Sequence, residues 1–300
     1  LERLEAPRAA LDDIRLAHDR LHIAALRGME LEIAEQVQAG GSGYAHIDAD
    51  TAMNAHTWAA AQRAAGAAIA AVDAVMAGEL ENAFCAVRPP GHHAGKAGAS
   101  GFCFINNVAV AARYALERHG LQRVAVVDFD VHHGNGTEDI LAGDDRVLMV
   151  SFFQHPLYPY SGAVPKGTNM LNLPIPPYTR GGELRELIEA NWMPALDAFR
   201  PEMIFISAGF DAHREDDLGQ LGLVEADYEW ITMRIKDIAD VEFGTTYFDV
   251  EAKLNGRPSA AISLKQLPGS NASEVISKVK TRLAELKSTT FLEGMDYEVE

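Results

Sequence analysis

Three short apolar runs, RVAVVDF (123–129), RVLMVSF (146–152) and MIFISA (203–208), each lead into polar residues, and a helical pattern separates each from the next. That order leaves few choices of fold. Strands that are apolar on consecutive residues are buried on both faces, and strands joined through helices run parallel. A fourth run, AFCAV (83–87), lies between a predicted helix over about 56–77 and another through NNVAVAARYALERHG, which Gly120 ends. A short helix near 137–142 and a longer one over 181–199 complete the rhythm. The expectation is an α/β fold, a parallel sheet with flanking helices, with function gathered at the carboxyl ends of the strands. The polar clusters stand at those ends: RPPGHHAG follows AFCAV, DFDVHHGNG ends RVAVV, Ser151 ends RVLMV, and GFDAH follows MIFISA.

Composition narrows the function classes. With 48% hydrophobic and 23% charged residues in 300, the chain has material for a large core. A net charge of -17 opposes non-specific binding to nucleic acid and to anionic lipid, and favours cationic partners such as lysine side chains or polyamines. The most apolar stretch, TWAAAQRAAGAAIAAVDAVMAG (57–78), is mostly alanine and is interrupted by Gln62, Arg63 and Asp73, so it reads as a helix of a water-soluble protein and not as a membrane span. The opening residues LERLEAPRAA do not have the pattern expected of a signal peptide. Cys85 and Cys103 lack CxxC spacing and sit among apolar residues, which predicts buried, reduced thiols and a cytoplasmic location.

After about Met233 the texture changes. YFDVEAKLNGRPSAAISLKQL alternates apolar and polar residues around Asn255-Gly256, a strong hairpin signal. An amphipathic helix follows, with Asn271 and Glu274 at capping spacing and Val275, Val279, Leu283 and Leu286 along one face. In the last residues Met295, Tyr297 and Val299 alternate with acidic residues, which predicts a half-buried strand. Two domains are expected, 1–233 and 234–300.

The chemistry-bearing residues lie in the first part. Asp130 and His132 are two apart at a strand end, where the pleat of a strand would point both to one side. Asp211, at the end of a second strand, supplies a possible third ligand, leaving further positions for water and substrate as catalytic zinc sites do. The alternative for Asp130 is a helix-capping or loop carboxylate. His133 and His213 read as structural neighbours of the ligands. His92 and His93 follow Pro89-Pro90-Gly91 on a stiffened loop, placed either as a general base with an electrostatic partner beside a metal-bound water or as surface polarity. His18, His22, His46, His56, His119 and His155 have no evident partners and read as surface polarity.

RPPGHHAG, GFCFINNVAVAARYA, VAVVDFDVHHGNGTEDI, SFFQHPLYPYSGA and ISAGFDAHREDDLGQLGL resemble, in order and spacing, the histone deacetylase family, especially its bacterial class II-like members. The resemblance implies an arginase-like α/β fold for 1–233, with zinc held by Asp130, His132 and Asp211. It implies catalytic roles for His92 and His93, with His93 exchanging the proton and His92 assisting electrostatically. Asp128 matches the carboxylate that orients the first histidine, and Asn135 stands where class II-like members carry asparagine. Gly101, Phe102 and Tyr158 match the walls of an acyl-lysine tunnel. Asp128, Asp130, His132 and Ser151 match the surroundings of a monovalent cation, with potassium the candidate. The implied substrate is an acetylated lysine in a protein or peptide, or an acetylated small amine.

The chain departs from that pattern in two places. It begins at LERLEAPRAA, after the family's first strand and HPE-containing loop, and no Gly-Gly-Tyr follows GFDAH. The domain is therefore expected to be incomplete at both ends, with its activity impaired. LEGMDY near the end lacks the glycine before tyrosine, so Tyr297 is not expected to supply the family's catalytic tyrosine. From Arg234 onward, the motifs VEFG, LNGRPSAAI and LPGSNA instead resemble a porter-domain segment of resistance-nodulation-division efflux transporters, a chimera-like join. Three other readings stand beside the zinc-dependent deacetylase: a metal-containing acyl-amine binding module without turnover, an arginase-like dimanganese hydrolase, and an efflux transporter component resting on the tail.

Overall fold

Side chains of the strands alternate between two apolar layers, and this alternation organises the molecule, seen here in a computed structural model that describes residues 3–239 together with 253–254, 257–258 and 280–281. The chain divides into two units, Leu1–Val241 and Glu242–Glu300. In the first, β3 (Val124–Asp128) is buried along its whole length. Val124 and Val126 enter one core, and Ala125 and Val127 enter the other. The neighbouring β4 (Val147–Gln154) repeats the pattern, with Val147 and Met149 in the first core and Val150 and Phe152 in the second.

A parallel sheet of four strands runs in the order β5-β4-β3-β6, with β5 at Met170–Ile175 and β6 at Met203–Ser207. On one side lie α1 (Leu11–Ile14), α2 (Arg20–Gln38), α3 (Thr57–Met76) and α4 (Asn107–Arg118), whose apolar residues share the first core. On the other, α6 (Gly181–Phe199) buries Leu184, Ile188, Trp192 and Leu196 at intervals of four, and α7 (Glu225–Ala239) adds Tyr228, Ile231 and Ile235. The Trp192 ring stacks on Phe152 with centroids 5.7 Å apart. A small hairpin of β1 (Tyr44–His46) and β2 (Ala52–Asn54) precedes α3, and α5 (Asn135–Leu141) follows the loop after β3. The α/β class and the parallel sheet with flanking helices agree with the sequence reading.

Three expectations need correction. AFCAV is not a strand: residues 83–86 are exposed, with Phe84 at 78% exposure. A strand needs a ladder partner, and among the described residues the sheet ends at β6. Cys85, predicted buried, is exposed on the same segment, whereas Cys103 is buried. His18 and His22, predicted as surface polarity, are 3% and 6% exposed and hydrogen-bonded.

α7 runs through Met233 without a break. In the second unit Lys253–Leu254 pairs antiparallel with Arg257–Pro258, flanking Asn255-Gly256, and residues 280 and 281 are helical. The rest of the predicted helix around Val275 and Leu286, and the strand around Tyr297, lie outside the described residues.

Candidate active site

Asp130 and His132 face each other across a bend, not along a strand. β3 ends at Asp128, and the next residues turn so that Asp130 Oδ1 accepts hydrogen bonds from the backbone N–H of His132 at 2.8 Å and from its Nδ1 at 3.0 Å. The expected juxtaposition is present, but a side chain-to-backbone turn makes it in place of the pleat. Asp211, beyond β6, brings its Oδ2 to 3.0 Å from the same His132 Nδ1, while its Oδ1 accepts from Val131 N–H at 2.9 Å. One donor atom from each of the three residues lies within 4.8 Å of the others, a group able to hold a metal ion. Tetrahedral zinc with bonds of about 2.0–2.1 Å sets its ligand atoms about 3.3 Å apart, close to the 3.0 Å between His132 Nδ1 and each of the two carboxylates, and a mixed nitrogen and oxygen donor set suits it. Burial disfavours charge on His132, but hydrogen bonds to Asp130 and Asp211 outweigh that and raise its pKa to about 9. Metal binding requires that proton to leave.

His92 and His93 lie beside this group, 7% and 5% exposed, with ring centroids 4.1 Å apart. Each has a different orienting partner. His92 Nδ1 donates to Asp128 Oδ2 at 3.0 Å, and its Nε2 lies 3.7 Å from Asp130 Oδ2. His93 Nδ1 donates to the amide oxygen of Asn135 at 2.7 Å. Burial works against a charge on His92, yet Asp130, Asp128 and Asp211 together raise its pKa to about 9. Burial and the neighbouring His92 push His93 down to about 2, and its amide partner offers no charge to counter them. A divalent cation on Asp130 and Asp211 would cancel much of the field at His92, leaving Asp128 as its counterion.

The predicted tunnel residues gather around His93. The Tyr158 ring meets His93 edge-on at 5.1 Å. Gly101 and Phe102 form a tight turn with φ of 52° and 66°. A Cβ on Gly101 would run into the His93 ring, so this turn lies directly against the histidine. Phe102 is half exposed, and its N–H donates to Thr51 Oγ1 at 3.1 Å. Ser151 is buried and pairs with Asp128 across β3 and β4, and its hydroxyl reaches Asn172 Oδ1 at 3.3 Å. Asp128 Oδ1 accepts from Asp130 N–H at 3.1 Å. His133 turns away from the metal group into a buried network, with Nδ1 2.8 Å from Ser161 Oγ and Nε2 3.3 Å from Glu138.

Sequence reasoning missed the supports of this loop. Thr51 and Ser100, whose hydroxyl donates to His93 O at 3.1 Å, carry no motif signal. His18 and His22 sit in an ordinary helical pattern, and only a tertiary contact distinguishes them from surface histidines.

A family model described as Histone deacetylase domain matches residues 1–246, and one described as AcrB/AcrD/AcrF family matches residues 203–300. The chain is 36% identical over 251 residues to the histone deacetylase-like amidohydrolase of Pseudomonas aeruginosa, which covers 81% of this chain and 63% of that protein. It is 37% identical over 243 residues to a probable deacetylase of Archaeoglobus fulgidus, covering 79% and 64%. The chain thus spans under two thirds of the length of either relative. The crystal structure of the HDA15 HD domain superposes with a TM-score of 0.71 at 33% identity, over 78% of this chain and 66% of that one.

Proposed function

The chain belongs to the histone deacetylase family, and on that premise we propose that it acts as a zinc-dependent amide hydrolase on acetyl-lysine in a protein or peptide, or on a related acetylated amine. The observation that carries this reading is the convergence of Asp130, His132 and Asp211 beside two histidines with different orienting partners. Zinc, when bound, supplies Lewis acidity toward a carbonyl oxygen and toward water. The remaining work falls to the protein. With its Nδ1 proton held by Asn135, His93 presents an unprotonated Nε2 that can take a proton from the attacking water and return it to the departing amine. His92, held by Asp128, places positive charge next to the developing negative charge. Gly101, Phe102 and Tyr158 would guide a linear acyl-lysine chain toward the metal group. Asp128, Asp130, His132 and Ser151 would surround a monovalent cation, with potassium the candidate. The strongly negative chain favours a cationic protein partner and disfavours direct binding of nucleic acid, and two free cysteines without CxxC spacing fit a cytoplasmic setting.

One sequence observation favours a second reading. Among these 300 residues no Gly-Gly-Tyr follows GFDAH, and an acyl-amine binding module with slow or no turnover fits a site without an oxyanion-binding tyrosine. Losing one such donor costs about a hundred- to a thousandfold in rate. We read residues 234–300 as a porter-domain-like fragment joined to the deacetylase-like domain, consistent with the second family match. Among the described residues no helix is long and apolar enough to cross a membrane.

Metal analysis with turnover of an acetyl-lysine peptide and an acetylpolyamine tests these readings. One zinc per chain with slow turnover supports the deacetylase, and one zinc with binding alone supports the binding module. Two manganese ions per chain would overturn both in favour of an arginase-like hydrolase.

A further inference from the structure

The loop from His93 to Asn106 carries the histidine assigned to proton transfer and the Gly101–Phe102 wall beside it, yet it contains no helix or extended ladder of its own. A two-bond bridge between Ser100 and Cys103 closes its tip. Its two ends are held by one side chain. His18 Nδ1 donates to Gly95 O at 2.8 Å, and His18 Nε2 accepts from Asn106 N–H at 2.9 Å. Only the neutral imidazole with its proton on Nδ1 satisfies both partners. His22 stands beside it with ring centroids 5.0 Å apart and donates from Nε2 to Phe104 O at 2.8 Å, and Asp19 N–H donates to Lys96 O at 2.8 Å.

The connection continues into the site. The Asn106 amide donates to Ala94 O and to Thr137 Oγ1, both at 3.1 Å, and Thr137 N–H donates to His92 O at 3.0 Å. Because Gly101 lies against the His93 ring with no room for a Cβ, a small displacement of the loop would change the gap between histidine and wall. Resting on the deacetylase reading above, we infer that His18 is a positioning residue: by spanning Gly95 and Asn106 it sets the width of the tunnel at His93.

The test uses the full chain loaded with zinc and compares the native protein with His18→Ala, His18→Asn and His18→Gln. Two probes are titrated calorimetrically. The first is a hydroxamate on a long alkyl linker with an aryl cap, which fills the tunnel, and the second is acetohydroxamate, which reaches the metal alone. His18→Ala removes both bonds and is expected to weaken the long probe by about tenfold or more, leaving zinc content and acetohydroxamate affinity unchanged. An asparagine can restore the bond to Gly95 and a glutamine the bond to Asn106, so each should recover part of the loss. Equal affinity of His18→Ala and native protein for the long probe would overturn the inference, as would equal loss of both probes, which marks general disruption. Should His18→Ala fail to fold, the asparagine and glutamine variants decide by the same split between probes. A native chain that binds neither zinc nor hydroxamate defeats the deacetylase reading itself, and the inference falls with it.

Discussion

Asn135 places its amide oxygen 2.7 Å from His93 Nδ1, whereas the adjacent His92 is held by the carboxylate of Asp128 at 3.0 Å. Two neighbouring imidazoles therefore receive different counterparts, one neutral and one charged. Asn135→Asp would put a charge opposite His93 and is expected to raise its pKa by about one to three units. Titration of the His93 ring signals by NMR in the zinc-loaded chain checks this. An unchanged His93 titration would show that Asn135 does not set its proton affinity.

Removing one of three ligands should empty the metal group. Asp130→Ala and Asp211→Ala are each expected to abolish stoichiometric zinc, as measured by elemental analysis after dialysis. Asp130→Ala should also loosen the bend, because Asp130 Oδ1 accepts from the His132 backbone. Stoichiometric zinc in both variants would refute the ligand assignment.

The Gly101 position tests crowding at the site. With φ at 52°, Gly101→Ala meets both a backbone penalty of about 1–2 kcal/mol and the His93 ring. A lower melting temperature together with weaker binding of the long hydroxamate is expected, and a silent substitution would contradict the packing described.

In the core, Trp192 is fully buried against Phe152, and its indole N–H has no hydrogen-bond partner among the described residues. Trp192→Ala should cost about 3–5 kcal/mol. Trp192→Phe keeps the ring contact and removes an unsatisfied donor, so its cost should be clearly smaller. Denaturant unfolding of the two variants gives the comparison.

Burial, reinforced by the neighbouring His22, lowers the His18 pKa from 6.5 to about 4. The folded state thus favours neutral imidazole and binds fewer protons than the unfolded chain between those values. Stability from this source is full above about pH 6.5, falls as the pH drops toward 4, and amounts to about 3 kcal/mol over that window. His18→Gln should flatten the acid side of the stability curve, and an unchanged slope would exclude His18 as its origin.

Much of this architecture could be read from the sequence because β3 and β4 have residues that must be apolar on both faces, a pattern that neither a surface helix nor a half-exposed strand produces. The polar clusters at Asp130, His132 and Asp211 were legible for the same reason, since the strand ends fix where they stand. β5 escaped notice because Asn172 and Pro174 interrupt MLNLPI. An outer strand tolerates proline, and β5 lies at the sheet margin. AFCAV was misread in the opposite direction, since its composition fits a strand but no neighbour pairs with it among the described residues. The meeting of Asp130 with His132 was anticipated through pleat geometry and is made by a turn. His18 could not be recognised at all, because its partners Gly95 and Asn106 are 77 and 88 residues away.

β6 leads into Asp211, yet among the described residues only β3 pairs with it. An outermost strand is the first to fray, and fraying here would carry one ligand away from the other two. A metal bridging Asp211 to the bend after β3 would therefore act as a clasp, coupling ion retention to the breathing of this strand. Amide hydrogen exchange along Met203–Ser207 should slow on metal loading more than exchange in β4, which is paired on both sides.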